Sequence, residues 1–256
     1  MMNPPPENAI EFIGVEFRVR SSNSILHNLN LAVHRGEVLM LLGRSGSGKT
    51  TSLRLINRLE TPTSGEVRVE GVSTTDWDPI RLRRGIGYAI QEVGLFPHYT
   101  VEKNVGLIPG LEGWNRSKIE ARTREVLRLV GLPDADFLKR YPDQLSGGQR
   151  QRVGLARALA VDPPILLMDE PFGALDPLSR VQLQKEFREL HKRLQKTVVF
   201  VTHDVGEALM LGDRIALMES GSLRGVFTPK VFLESNDEIV KAYVEAFRTA
   251  QSVLNA

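Results

Sequence analysis

The sequence predicts an α/β protein: a mostly parallel sheet flanked by helices, with short β segments ahead of it and a helical insertion inside it. Three observations carry this prediction. Val38-Leu39-Met40-Leu41-Leu42 is an unbroken apolar run ending in glycine, the pattern of a strand buried on both faces. From Ile165 to Met218 strand and helix patterns alternate, as crossover connections of a parallel sheet require. Between these stretches, roughly 92–160, apolar residues recur at helical spacing.

Taken in order, residues 1–9 read as a flexible tail, because Pro4-Pro5-Pro6 enters neither a helix interior nor a central strand. Ile10 to Val19 and Leu29 to Val33 read as β segments, followed by the Val38–Leu42 strand and a helix from Lys49 to about Leu59. Gly65 to Glu70 and Gly87 to Gln91 read as further strands. Ser117-Lys118-Ile119-Glu120 has the form of a capping box, with Ile119, Thr123, Val126, Leu127 and Val130 on one helical face behind it. Pro133 and Pro142 punctuate short elements. Then come a strand at Ile165–Met168, a helix from Pro177 to about Leu194, a strand at Thr197–Val201, a helix at Val205–Leu211 and a strand at Arg214–Met218. Residues 236–256 hold a short helical extension, whose Ile239, Val240, Tyr243, Val244 and Phe247 share a face and imply docking.

Bulk properties narrow the function classes. The 256 residues are 41% hydrophobic and 25% charged, which suits a chain with a substantial core. Thirty-three basic against 31 acidic residues leave a formal net charge of +2, so no long-range basic field argues for nucleic acid. With no cysteine, disulfides, thiol catalysis and thiolate metal sites are excluded. The start shows no signal-peptide pattern and no apolar run approaches the roughly 18–20 residues of a membrane helix, so a cytoplasmic protein is expected.

The chemistry begins at Gly43-Arg44-Ser45-Gly46-Ser47-Gly48-Lys49-Thr50, which fits G-x-x-x-x-G-K-[ST] between a buried strand and a helix. Glycines let backbone N–H groups converge on phosphate oxygens, and the helix N-terminus adds positive potential. Lys49 reaches the β- and γ-phosphates and the Thr50 hydroxyl ligates Mg²⁺. Asp169 ends a buried strand, where a carboxylate needs compensation; Mg²⁺ supplies it, and a cap or turn role is the alternative. Glu170 is placed to polarise an attacking water, or else is a solvated loop charge. Ser146-Gly147-Gly148-Gln149 opens a helical run and offers a second phosphate-seeking turn, or else a plain Ser N-cap with glycines for packing. Asp176 before Pro177 is ordinary helix-start chemistry, compatible with a further role. His203 follows a strand and can hydrogen-bond a γ-phosphate, or serve as a cap. Gln91 ends a strand, where its carboxamide reaches Mg²⁺ or the lytic water, or is a plain loop residue.

In this order, the motifs resemble the nucleotide-binding subunits of ATP-binding cassette (ABC) transporters over about residues 10–235. The resemblance implies a P-loop NTPase of ABC type, with a RecA-like mostly parallel core, an antiparallel β subdomain and an inserted helical subdomain at about 92–160. It implies ATP and Mg²⁺ as cofactors and a head-to-tail dimer of two copies. ATP then lies between Gly43, Arg44, Ser45, Gly46, Ser47, Gly48, Lys49, Thr50 and Thr51 of one copy and Ser146, Gly147, Gly148, Gln149 and Asp176 of the other. Thr50, Gln91 and Asp169 are the implied Mg²⁺ ligands, and Glu170, Gln91 and His203 the implied catalytic groups. The implied partners are transmembrane permease subunits, met by the helical region, and indirectly a periplasmic or extracellular solute-binding protein. The implied location is the cytoplasmic face of the membrane.

Leu82 to Gln91, Gly94-Leu95-Phe96-Pro97-His98, the stretch from Val105 to Trp114, Asp176 to Arg180 and Phe200 to Asp204 further resemble the ATPases of glycine betaine, choline and proline importers. Longer members of that group carry a C-terminal regulatory domain, for which this chain is expected to be too short. The chain departs from the family at Val19, where an aromatic ring usually stacks on adenine; Phe17 or His27 are the candidate substitutes, and without one GTP should compete better. A lesser departure is Phe227 before Thr228-Pro229. An importer ATPase for amino acids, phosphonates or lipids is the main alternative. A soluble ABC ATPase acting on DNA or ribosomes lacks its usual coiled-coil insertion or second cassette here, and the turn at Leu145–Gln149 speaks against a P-loop kinase.

Overall fold

The computed structural model describes residues 7–19, 23–91, 93–132 and 134–254. Most of the expected tail (residues 1–6) and Pro133 lie outside the described residues. The chain up to Asp76 and from Val199 onward forms one compact unit, and Trp77–Val198 forms another.

The first unit opens with two long strands, β1 (Asn8–Val19) and β2 (Asn23–His34), paired antiparallel. β1 starts inside the expected tail because Asn8 pairs with His34 and its side-chain oxygen lies 2.9 Å from His34 Nδ1. β2 starts well before Leu29 because Leu26 pairs with Phe17. In both strands the inward alternation is re-phased partway. The buried set in β1 runs Ile10, Phe12, then Val15, Phe17, and in β2 Leu26, then Leu29, Leu31, Val33. The resets fall at Gly14 (φ 57) and Asn28 (φ 46), both left-handed, with register shifts nearby. Such bulges advance a strand by one residue and swap its faces.

β3 (Val38–Leu42) is buried at every position, as its continuous apolar run requires. It leads through a loop into α1 (Lys49–Ile56), which stops earlier than expected because Arg58 turns left-handed at φ 53. β4 (Ser64–Val69) and the short β5 (Val72–Ser73) complete an antiparallel sheet in the order β2-β1-β4-β5.

The second unit contains α2 (Pro79–Arg84), β6 (Ile86–Ala89), α3 (Val101–Leu111), α4 (Arg116–Leu129), α5 (Asp134–Phe137), a short turn at Pro142–Gln144, α6 (Gly147–Leu159), β7 (Ile165–Asp169) and α7 (Pro177–Leu194). It reaches beyond the helical stretch at 92–160, since β6, β7 and α7 belong to it. β6 and β7 pair in parallel, Ile86 with Ile165 through Ala89 with Met168. Gly87 lets α6 approach β6: a Cβ there would sit 2.4 Å from the Ala158 carbonyl oxygen. α2 was not anticipated, although Asp78 caps it by accepting from Arg81 N–H at 2.8 Å. The start of α4 corrects the expected capping box. The N-cap is Asn115, whose Oδ1 accepts from Lys118 N–H at 2.9 Å, so Ser117 already lies inside the helix. The apolar face is as expected, with Thr123, Val126 and Leu127 buried.

The chain then returns through β8 (Thr197–Thr202), α8 (Val205–Leu211), β9 (Arg214–Glu219), β10 (Ser222–Phe227), α9 (Pro229–Glu234) and α10 (Glu238–Leu254). In the first unit the strands run β10-β9-β3-β8, with β9 parallel to β3 and β10 antiparallel at the edge. β10 escaped the sequence because it is short, half-exposed and interrupted by Gly225. α10 docks as its apolar face implied: Val240 and Val244 are buried, and the Phe247 ring comes 3.3 Å from where a Cβ on Gly206 of α8 would stand.

The α4 cap separates the two assignments. Asn115→Ala should lower the unfolding free energy by about 1 kcal/mol in denaturant titrations. Ser117→Ala should stay within about 0.5 kcal/mol.

Candidate functional site

In the first unit, the loop from Gly43 to Gly48 joins the fully buried β3 to α1. Its glycines are dictated by the fold. A Cβ on Gly43 would stand 2.3 Å from the Met218 carbonyl oxygen of β9. Gly48, at φ 97, would drive a Cβ to 2.5 Å from Leu26 Cδ2. Gly48 is the N-cap of α1, and no side chain caps that end. Gly48 has no side chain to close over the helix start, and a helix N-terminus of this kind favours an anion such as phosphate. Lys49 is buried, and its ammonium donates to the carbonyls of Gly43 and Arg44, each at 2.8 Å. This holds a positive charge over the loop. The Ser47 hydroxyl is buried with no hydrogen-bond partner among the described residues. An orphaned hydroxyl costs roughly 1–3 kcal/mol, and a phosphate oxygen relieves it, so the loop fits a bound polyphosphate. Arg44, Ser45 and Gly46 are exposed along its outer edge, and Thr50 and Thr51 are half-buried in the first helical turn.

His203 follows β8 in the same unit and is exposed. Its turn is tightly braced. Thr202 Oγ1 accepts from Asp204 N–H at 2.9 Å and donates to Glu207 Oε2 at 2.6 Å, while Asp204 Oδ1 accepts from Glu207 N–H at 3.1 Å. Sequence reasoning missed Thr202 and Glu207; the Asp204-x-x-Glu207 spacing of a helix start was the available signal.

In the second unit, Asp169 is the last residue of β7 and is buried. Tyr88 Oη, from β6, lies 3.5 Å from Asp169 Oδ2, a neighbour the sequence did not reveal. Glu170 follows at φ 45, a left-handed geometry that costs a non-glycine residue of order 1 kcal/mol. The kink turns the chain sharply out of the strand. Gln91 lies beyond the strand that was expected to end with it: β6 stops at Ala89, and the Gln91 carboxamide nitrogen sits 3.5 Å from Glu170 Oε2. Arg157 of α6 braces the residues that follow, donating to the carbonyls of Val93 and Gly94 at 2.6 Å each. The structure thus brings Gln91 to Glu170.

Ser146 caps α6, accepting from Gln149 N–H at 3.3 Å, and Gln149 Oε1 accepts from Ser146 N–H at 2.9 Å. The capping reading of Ser146 is thereby realised. The packing reading of its glycines is not. A Cβ on Gly147 would meet nothing nearer than Leu175 Cδ2 at 3.9 Å, and one on Gly148 nothing nearer than Ser179 at 3.9 Å. Packing within the described residues therefore demands neither glycine, and the turn leaves room for a close approach from outside. Asp176 caps α7, accepting from Ser179 N–H at 3.0 Å. The Ser179 hydroxyl, then its backbone N–H, hold the Asp176 carboxyl below the usual range. The cap is intact near neutrality and weakens as falling pH protonates the carboxylate.

For a base-stacking ring, the structure removes one candidate. Phe17 is 7% exposed within the core of the antiparallel sheet, because it stands on the inward phase of β1. Val19 is 49% exposed, and His27 is exposed with its Nδ1 3.1 Å from Ser24 Oγ. Among the described residues no three His, Asp or Glu side chains cluster as a metal cage. Magnesium is commonly held by one or two carboxylates with phosphate oxygens, and the buried Asp169 carboxylate of the second unit is a donor of that kind.

The two classes of glycine differ in a measurable way. Gly48→Ala should lower the unfolding free energy by about 1–3 kcal/mol or more. Gly147→Ala and Gly148→Ala should leave it unchanged within about 0.5 kcal/mol.

A family model described as ABC transporter matches residues 26–173. The chain is 46% identical over 234 residues to a choline transport ATP-binding protein of Bacillus subtilis, covering 91% of this chain and 61% of that one. It is 47% identical over 228 residues to an osmoprotectant import ATP-binding protein of Salmonella typhimurium, covering 89% and 60%. A glycine betaine uptake system ATP-binding protein of Escherichia coli is 48% identical over 214 residues, covering 84% and 69%. The chain spans about three fifths of the length of the first two. Among solved structures, a dimeric post-hydrolysis ATP-binding cassette bound to ADP and Pi matches with a TM-score of 0.77 and 35% identity, over 86% of this chain and 98% of that one. With the uncapped Gly43–Lys49 loop, the buried Asp169 and the open glycines of α6, these matches show that the chain belongs to the ABC transporter family.

Proposed function

We propose that the chain is the ATP-binding and ATP-hydrolysing subunit of an importer for a small quaternary amine or related osmoprotectant, such as glycine betaine, choline or proline. The observation that carries this is the 46–48% identity to relatives named for choline, osmoprotectant and glycine betaine transport. Two copies work head to tail. The loop from Gly43 to Gly48, with Lys49, Thr50 and Thr51, binds the phosphates of ATP. The open α6 turn of the other copy, Ser146, Gly147, Gly148 and Gln149, closes on the same nucleotide, with Asp176 beside it. The open glycines support this, since they leave the first-turn N–H groups of α6 approachable.

The Thr50 hydroxyl, the Asp169 carboxylate and the Gln91 carboxamide would hold Mg²⁺, which would supply positive charge against the phosphates. Glu170 takes the proton of the attacking water, and the Gln91 carboxamide beside it orients that carboxylate. His203, on its braced turn, donates to the γ-phosphate. Among the described residues no helix is long and apolar enough to cross a membrane. In this reading, permease subunits hold the chain at the cytoplasmic face of the membrane. A solute-binding protein completes the system on the other side.

Two substitutions test this reading. Glu170→Gln should reduce ATP turnover by at least about a hundredfold, keep ATP binding, and accumulate a dimer in gel filtration with ATP; retained turnover removes Glu170 as the base. Val19→Tyr should tighten ATP binding about two- to tenfold and reduce competition by GTP in nucleotide titrations. Equal affinity in both proteins would dismiss Val19 as the base-selectivity position.

A further inference from the structure

In the first unit, a cavity of about 630 Å³ opens beside the phosphate loop. Arg44 of the loop and His203 line it, and α10 supplies Ile239, Ala242, Tyr243 and Phe247. Its α10 side is predominantly apolar, yet none of the assigned roles uses it. In the second unit, Leu178 is 85% exposed, and Val181, one helical turn on, is 47% exposed. They form an apolar stripe at i, i+3 spacing on the first turns of α7, exposed among the described residues. This stripe is fixed relative to the α6 turn. Ser179 Cβ stands 3.9 Å from where a Cβ on Gly148 would be, and Leu175 Cδ2 stands 3.9 Å from the same point on Gly147.

We propose that Leu178 of each copy seats in the α10-lined cavity of the other copy. This rests on the head-to-tail dimer proposed above. When the α6 turn of one copy closes on the phosphate loop of the other, the start of α7 arrives with it. It reaches the flank of that loop, and Arg44 belongs to both the loop and the cavity wall. The apolar stripe and the apolar wall are complementary, and the cavity is continuous with the surface that the α6 turn must approach. Two-fold symmetry repeats the contact, so each closure buries two leucines. α10 thereby becomes part of the surface that senses closure, although it touches no nucleotide.

The chain contains no cysteine, so introduced cysteines report cleanly. On a Glu170→Gln background, copies carrying Leu178→Cys are mixed with copies carrying Ala242→Cys and oxidised with and without ATP. A disulfide forms only when Cα atoms come within about 7 Å. The expected result is a mixed cross-linked dimer that requires ATP and is not formed by either variant alone. Leu178→Ser should raise the dissociation constant of the ATP-held dimer at least about tenfold, with the monomer's ATP affinity unchanged. If Glu170→Gln dimerises normally, the mixed pair stays unlinked and Leu178→Ser dimerises as before, the seating is overturned and the dimer stands. If Glu170→Gln shows no ATP-dependent dimer in sedimentation, the dimer reading and the seating fall together.

Discussion

The close approach of β3 to β9 is the constraint on which the first unit depends. Leu39 to Leu42 pair with Arg214 to Leu217 in parallel, and at the end of β3 the chain passes so near the Met218 carbonyl that only glycine fits at position 43. That passage fixes where the loop begins. The Gly43 and Arg44 carbonyls then hold the Lys49 ammonium, so a charge that burial would penalise is satisfied by the loop it serves. The left-handed Gly48 turns the chain into α1 without a side-chain cap. A capping serine here would have occupied the N–H groups that a phosphate needs.

The α6 turn solves the same problem differently. Its cap is present, Ser146 with Gln149, so the helix is stable without a ligand. Its two glycines are idle within the chain. Glycine in a helix costs up to about 1 kcal/mol relative to alanine, so idle glycines at a helix start are a net loss for folding. Gly43 and Gly48 are therefore folding requirements, whereas Gly147 and Gly148 are glycines that packing within the chain does not demand. In the proposed head-to-tail dimer, the contrast separates a loop built within its own unit from an α6 turn that would meet a second copy.

Much of the architecture was legible in the sequence where one signal dominated. β3 and α8 fall where the pattern put them, and α7 starts at its Asp-Pro cap as expected. The failures have physical reasons. β1 and β2 change phase at Gly14 and Asn28, so strict alternation could not show their full length. Ser117 matched a capping pattern, but Asn115 two residues earlier offered an equally good acceptor and a longer helix. The phosphate loop was legible because its residues are contiguous. The neighbours of its chemistry were not: Tyr88 beside Asp169, and Thr202 with Glu207 around His203, are set by pairing and turn geometry rather than by sequence proximity.

One regularity ties the candidate groups together. The Gly43–Gly48 loop follows β3, Gln91 follows β6, Asp169 ends β7 and His203 follows β8. Each sits at the C-terminal end of a strand, where an α/β sheet presents its binding residues. There the strand fixes the backbone up to the last paired residue, and a turn immediately after it aims the side chain. The turns are stiffened in different ways: a lysine on carbonyls after β3, an arginine from α6 after β6, a left-handed glutamate after β7, and a threonine–aspartate–glutamate brace after β8. Stiffness at these points is what a catalytic group requires, because a misplacement of about 1 Å costs of order a hundredfold in rate. The fold thus spends local strain and buried polar pairs on the few residues that chemistry would address, and keeps its apolar core for everything else.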